Sequence, residues 1–148
     1  ANFTMRLSYG IISAYTSQGN QFNYYTDAQS LLDKVSQQNE IEDYKLEDDI
    51  VKLLKEENWG RYADKKTGDM HLCFISDNDI TGGNSGSPMF NGKGELIGLA
   101  FDGNWEAMSG DISFDKSLQR CIGVDIRYVL YLMEKWGGAD NLIKELGY

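Results

Sequence analysis

The sequence predicts a mainly β fold with peripheral helices. Three observations carry that expectation. Apolar and polar residues alternate strictly at the start, where Phe3, Met5, Leu7 and Tyr9 interleave with Asn2, Thr4, Arg6 and Ser8, the period of a half-buried strand. A strand, a glycine-rich loop and a hairpin follow one another between Met70 and Phe101. Helical spacing is confined to two stretches, about 26–59 and about 126–146.

Taken in order, Gly10 breaks the first strand, and Ile11 to Tyr15 can form a second. Tyr24-Tyr25 can form a short third. Thr26 with Gln29 is a capping-box pattern, and Ala28, Leu31, Leu32 and Val35 predict a helix from about Asp27 to Gln37. Glu40 to Asp49 is acidic and lacks metal-site geometry, so it is read as a solvated face or loop. Leu46, Ile50, Leu53 and Leu54 mark a second helix, closed at Asn58-Trp59-Gly60. Met70 to Ile75 is a strand feeding the loop, and Asn91-Gly92-Lys93-Gly94 turns the hairpin. Asp102 to Asp111 is a polar loop, and a strand around Arg120 to Val124 follows. Asp125 is of the right type for a catalytic acid but reads better as the cap of a helix carrying Ile126, Val129, Leu130, Met133 and Trp136. Gly137-Gly138 ends it, and Asp140 to Leu146 is a short last helix. With no repeat and no linker, residues 1–148 are read as a single domain.

The stretch around which these elements are arranged is Thr81-Gly82-Gly83-Asn84-Ser85-Gly86-Ser87-Pro88, which holds the only proline. Glycines on both sides of Ser85 let the chain turn sharply and expose the hydroxyl. They also leave the N–H groups of Gly83 and Ser85 free to converge, as an oxyanion hole requires. Other readings compete. Asp77, Asp79, Thr81 and Gly82 imitate a calcium loop, but Pro88 stands where a bidentate Glu is needed. A phosphate loop would open a helix with Gly-Lys-Ser/Thr, and here the glycines lead into a strand. A plain glycine-rich turn is the default for such a run seen alone.

Composition narrows the function classes. A chain of 148 residues can bury roughly two-thirds of its unfolded surface. Fourteen basic against 23 acidic side chains give a net charge of −9. Without a basic stripe to neutralise phosphates, nucleic-acid binding is not expected. No apolar run approaches the roughly 20 residues of a membrane span, and no signal peptide is recognised before the first strand-like residues. No cofactor and no metal are called for. Cys73 and Cys121 are too few for a disulfide framework, leaving two free thiols or one bridge. His71, the only histidine, falls on the polar side of its strand and is expected to be solvated rather than a catalytic base.

Gly-Asn-Ser-Gly-Ser-Pro at 83–88 resembles the Gly-Asp-Ser-Gly-Gly-Pro signature of chymotrypsin-like serine proteases. More narrowly, Thr81–Pro88, Asn91–Asn104 and Ser109-Gly110-Asp111 resemble the bacterial serine dipeptidyl-peptidases, the family that includes dipeptidyl-peptidases 7 and 11. Asn2–Gly10, Gly60–Asp64 and Val124–Leu130 match it as well. The resemblance covers essentially the whole chain but only the C-terminal portion of the family's longer proteins.

That resemblance implies the second β-barrel of a chymotrypsin-like double-barrel protease. Ser85 would be the nucleophile, and the backbone N–H groups of Gly83 and Ser85 the oxyanion hole. Asp102 would hold the free amino group of an oligopeptide substrate, a sound task for a carboxylate, although an Asp-Gly-Asn sequence equally suits an Asx turn. Gly103 stands where the acid-selective branch carries arginine, which favours the dipeptidyl-peptidase 7 branch and an apolar residue before the scissile bond. The catalytic His and Asp would come from a missing N-terminal barrel, and a missing helical domain would cover the cleft. The chain alone would then be inactive, and its uncovered barrel face would favour a homodimer. The family is exported to the periplasm or cell surface of Gram-negative bacteria. Two alternatives from other classes stand beside this one: a chymotrypsin-like endopeptidase, and a non-catalytic structural fragment or binding module.

Overall fold

The computed structural model describes residues 7–38, 41–42, 45–109 and 112–148. Among these residues, seven strands and four α-helices follow in the order β1 (Tyr15–Ser17), β2 (Asn20–Phe22), β3 (Tyr25–Asp27), α1 (Ala28–Gln37), α2 (Asp48–Lys55), β4 (His71–Ser76), β5 (Pro88–Phe90), β6 (Leu96–Gly103), β7 (Cys121–Asp125), α3 (Ile126–Lys135) and α4 (Asp140–Glu145). Short 3-10 helices occupy Gly60–Tyr62 and Trp105–Ser109. The fold is sheet-based with a few helices, as expected. The sheet has five strands in the order β3-β4-β7-β6-β5, with β1 and β2 forming a separate hairpin. Among the described residues the sheet keeps two edges, β3 and β5, and closes into no barrel. The expected barrel is therefore not what these strands build by themselves.

The chain divides into two compact units, with boundaries inside β3 and β4 and between β7 and α3. The first comprises the described residues up to Tyr25 together with Cys73–Asp125. Here β4 pairs antiparallel with β7, Phe74 opposite Gly123. In turn β7 pairs with β6, Leu99 opposite Val124, and β6 with β5, Pro88 opposite Leu99. Residues of one sheet face, Phe74 and Ala100, are buried with Cys121. Burial raises the Cys121 thiol above its ordinary value, and both cysteines are free, which removes the single-bridge option. Residues 7–10 make no strand, and of the expected strand over Ile11 to Tyr15 there remain one bridge between Ile12 and Ser76 and Tyr15, the first residue of β1. The first half of the alternating pattern, up to Arg6, lies outside the described residues.

The second unit comprises Thr26–Leu72 and Ile126–Tyr148. Helix α1 is capped one residue later than the capping-box pattern suggested. Asp27, not Thr26, accepts from Ser30 N at 2.8 Å and Ser30 Oγ at 2.6 Å. A carboxylate is the stronger acceptor at a helix N-terminus, where backbone dipoles add. Leu54, Met70 and Tyr131 are fully buried, and the Tyr131 ring meets Trp59 and Tyr62 edge-on. His71 corrects the expectation of a solvated side chain. It is buried, and its Nε2 lies 3.1 Å from Thr67 Oγ1; strand alternation marks which face a side chain takes, not whether that face is covered.

Two carboxylates carry the electrostatics of this unit. Burial raises the Asp64 carboxyl, but hydrogen bonds outweigh it, from Arg127 Nη1 at 2.8 Å and from the N–H groups of Lys66 and Thr67. The net effect holds Asp64 well below the usual carboxylate range. Glu134 is lowered to about 2 by Lys135, Tyr62 and Arg61. Its carboxylate accepts from Lys135 Nζ at 2.8 Å, from the Tyr62 hydroxyl and from Arg61 Nη2. A carboxyl whose folded pKa is depressed stabilises the fold above its unfolded pKa, and that stability is lost as pH falls through the folded value. The melting temperature should therefore drop between about pH 5 and pH 2. Asp64→Asn should lower it at neutral pH, with the difference from the unmodified protein shrinking on acidification. A difference that grows as pH falls would contradict the assignment.

Candidate active site

The loop between β4 and β5 is two consecutive turns. Asn84 N donates to Thr81 O at 3.2 Å, and Ser87 N to Asn84 O at 2.9 Å. The third residue of each turn is a glycine at positive φ, Gly83 at 92° and Gly86 at 85°. Type II turns demand this conformation, and a Cβ disfavours it. Asn84 locks the first turn from its side chain as well, its Oδ1 accepting from Thr81 N at 2.9 Å. Ser85 is thereby held as the second residue of the second turn and is solvent-exposed.

The loop is pinned to β6. Gly86 N donates to Ala100 O at 2.7 Å, and Ala100 N to Ser87 O at 2.8 Å. A β-bulge follows at once in β6, where the register against β7 shifts between Ala100 and Asp102 and leaves Phe101 as the extra residue. Bulges free one residue from the ladder and re-aim its neighbours. The Phe101 carbonyl accepts from Ser85 Oγ at 3.1 Å. The Gly83 and Ser85 N–H groups make no hydrogen bond among the described residues, so two donors two residues apart stand unspent in the loop.

Asp102 is an exposed residue of β6, not of a loop as expected, and its Oδ1 accepts from Gly103 N at 2.8 Å. Gly103 ends the strand. The bulge thus carries the loop serine's acceptor and Asp102 within two residues of one another. The calcium-loop reading does not survive. Asp77 Oδ1 accepts from Ile11 N at 2.6 Å, and Oδ2 lies 3.5 Å from Lys116 Nζ.

One organising residue escaped the sequence reading. Asn104 donates from Nδ2 to Leu118 O at 2.9 Å and to Glu106 Oε2 at 2.8 Å. Its Oδ1 accepts from Arg120 N at 2.8 Å, and its own N–H donates to Arg120 O at 2.9 Å. Ala107 N then donates to Asn104 O at 2.9 Å. One side chain therefore fastens the 3-10 turn Trp105–Ser109 to the chain entering β7. The sequence reading gives Asn104 no role beyond its place in an Asp-Gly-Asn turn signal. The clue within the sequence was that Asn, unlike Asp, offers a donor and an acceptor together.

The chain's likenesses agree on one group of proteins. The peptidase S46 family profile matches residues 1–148. The chain is 56% identical over 148 residues to the dipeptidyl-peptidase 7 of Porphyromonas endodontalis, covering 99% of this chain and 18% of that protein. It is 40% identical over 148 residues to the Asp/Glu-specific dipeptidyl-peptidase of Porphyromonas gingivalis, covering 99% and 20%. Among solved structures, Porphyromonas endodontalis DPP11 in complex with the dipeptide Arg-Glu matches with a TM-score of 0.90 at 37% identity, over 99% of this chain and 21% of that one. The chain spans about a fifth of the length of the curated relatives it matches.

Asn104→Ala should cost about 1–3 kcal/mol, the usual penalty for stranding partly buried polar partners, and should speed amide exchange at Arg120 and Ala107. Gly86→Val should cost about 1–2 kcal/mol for a side chain at positive φ, measured by denaturant unfolding. An unchanged midpoint would mean that the loop does not need its left-handed residue.

Proposed function

The chain belongs to the peptidase S46 family, and on that premise we propose that it is the serine-bearing, C-terminal part of a bacterial serine exopeptidase that releases dipeptides from free peptide N-termini. The observation that carries the reading is the pinned double turn, which presents an exposed Ser85 hydroxyl beside two unspent N–H groups. In this reading the open sheet is the second barrel of a chymotrypsin-like pair. The rest of a longer protein supplies the first barrel, with the catalytic His and Asp, and a helical domain over the cleft.

The chemistry follows from the geometry. Ser85 Oγ exchanges its hydrogen bond to Phe101 O for one to an imidazole, which takes its proton as Oγ attacks the scissile carbonyl. The negative charge that develops on the carbonyl oxygen is met by the Gly83 and Ser85 N–H groups, which make no hydrogen bond among the described residues and so remain to receive it. The imidazolium gives its proton to the leaving amine, and water then releases the dipeptide from Ser85. Asp102, with one oxygen on Gly103 N, offers the other to the substrate's α-ammonium. That single pairing fixes the cleavage point two residues from the N-terminus. A glycine at 103 puts no cation into the pocket, so an apolar residue before the scissile bond is preferred. The relatives point the same way: identity is 56% to a dipeptidyl-peptidase 7 and 40% to an Asp/Glu-specific enzyme. The protein works in the periplasm or at the cell surface of a Gram-negative bacterium.

His71 is not the base in this mechanism. It is buried beside Thr67, and Ser85 Oγ donates to a carbonyl. In the full-length enzyme, Ser85→Ala should abolish release of dipeptides from a fluorogenic substrate, leaving at most the residual ~10³–10⁴-fold over water found when a triad member is lost. His71→Ala should leave the catalytic pH profile in place. Asp102→Ala should weaken free-amine substrates far more than acetylated ones. Equal losses on both would return Asp102 to a turn residue and favour an endopeptidase, whereas activity surviving in Ser85→Ala would remove the mechanism altogether.

A further inference from the structure

The space around Gly103 is closed by one atom, and this inference rests on the reading of Gly103 as part of the pocket for the residue before the scissile bond. A Cβ on Gly103 would stand 2.8 Å from the Cβ of Ala107, 3.7 Å from Ile80 Cγ2 and 3.8 Å from Arg120 O. Carbon atoms in favourable contact sit about 3.5–4.0 Å apart. Ile80 and Arg120 would therefore accept a side chain at 103, and Ala107 would not. The obstacle is no flexible tip. It is a methyl carbon bonded directly to the backbone of the 3-10 turn, and Asn104 ties that turn to Leu118 O and to both backbone polar groups of Arg120.

We propose that Ala107 is a second specificity-determining position, coupled to Gly103. Between them the two positions have room for one Cβ. The residue at 107 decides how much space stands over Gly103, and whether 103 can carry a side chain without displacing the turn. Two consequences follow. Enlarging 107 narrows the pocket against bulky apolar residues. Introducing an arginine at 103 gives a well-placed cation only when 107 loses its methyl, because otherwise the arginine must push a turn that five hydrogen bonds around Asn104 hold in place.

The test uses the full-length enzyme and free-amine dipeptidyl-coumarin substrates that share a first residue and vary the second among Ala, Leu, Phe and Asp. Ala107→Val should lower the Phe:Ala ratio of kcat/KM at least about tenfold, the scale on which a methyl or two discriminates in a packed pocket. Gly103→Arg with Ala107→Gly should exceed Gly103→Arg alone in Asp:Leu ratio by a similar factor. Unchanged ratios, or a uniform loss across all substrates, overturn the proposal, since a merely structural residue would scale every rate alike. Thermal unfolding reads the steric part without activity: Gly103→Ala should lower the melting temperature, and adding Ala107→Gly should restore it. Purely additive losses overturn the coupling. If the unmodified enzyme shows no Ser85-dependent dipeptide release, the reading of the site fails and the specificity role falls with it. Normal release with flat ratios fails this inference alone.

Discussion

The site depends on the pairing between the serine loop and β6. Gly86 N donates to Ala100 O and Ala100 N to Ser87 O, two bonds that carry the β5–β6 pairing back beyond the start of β5. A serine on a free glycine-rich loop would sample many orientations, and glycine loses more conformational entropy on ordering than any other residue. Two backbone bonds to a strand that is itself paired on both sides convert that loop into an edge of the sheet. The bulge at Phe101 completes the arrangement, because the carbonyl it frees from the ladder is the one that receives Ser85 Oγ.

The same bulge sets two features of the candidate site at once. Without the extra residue, β6 would continue in register, and Asp102 would exchange faces with its neighbour, since side chains alternate strictly along a strand. One inserted residue therefore sets the direction of the carboxylate and the acceptor of the serine hydroxyl together. Gly103 follows at the strand's end, where the Asn104 clamp brings a 3-10 turn so close that only hydrogen fits between them. The room at Gly103 is set by backbone spacing before it is set by any side chain.

The second unit has different physics. It holds all four α-helices found among the described residues, and its core includes an aromatic cluster, with the Tyr131 ring edge-on to Trp59 and Tyr62. Two of its carboxylates are held in ion pairs: Asp64 with Arg127, and Glu134 with Arg61 and Lys135. The resemblance segments Gly60–Asp64 and Val124–Leu130 include residues of these networks, Arg61, Tyr62, Asp64 and Arg127. Those segments marked the family without marking chemistry, which suits residues whose task is to hold helices and turns together.

Local sequence determined much of this protein. Turn chemistry at Gly83 and Gly86, the hairpin at Asn91–Gly94, the strands β4 and β7, and the helix stripes of α1 and α3 all follow from spacings shorter than a dozen residues, where sterics and periodicity act without help from the rest of the chain. Ser85 was legible for the same reason, because its exposure is a property of its neighbours in sequence. What only the tertiary structure decided depends on partners far along the chain. The alternation leaves His71 on a polar face, and strand alternation cannot say whether that face is covered; the folded chain buries it. The bulge at Phe101 needs β7 to define a register from which to depart. The Asn104 clamp joins residues 14 and 16 positions apart, and the closeness of Gly103 to Ala107 exists only once that clamp has folded the turn back. Hydrogen bonds and contacts of this kind carry no local period, so no pattern in the sequence could announce them.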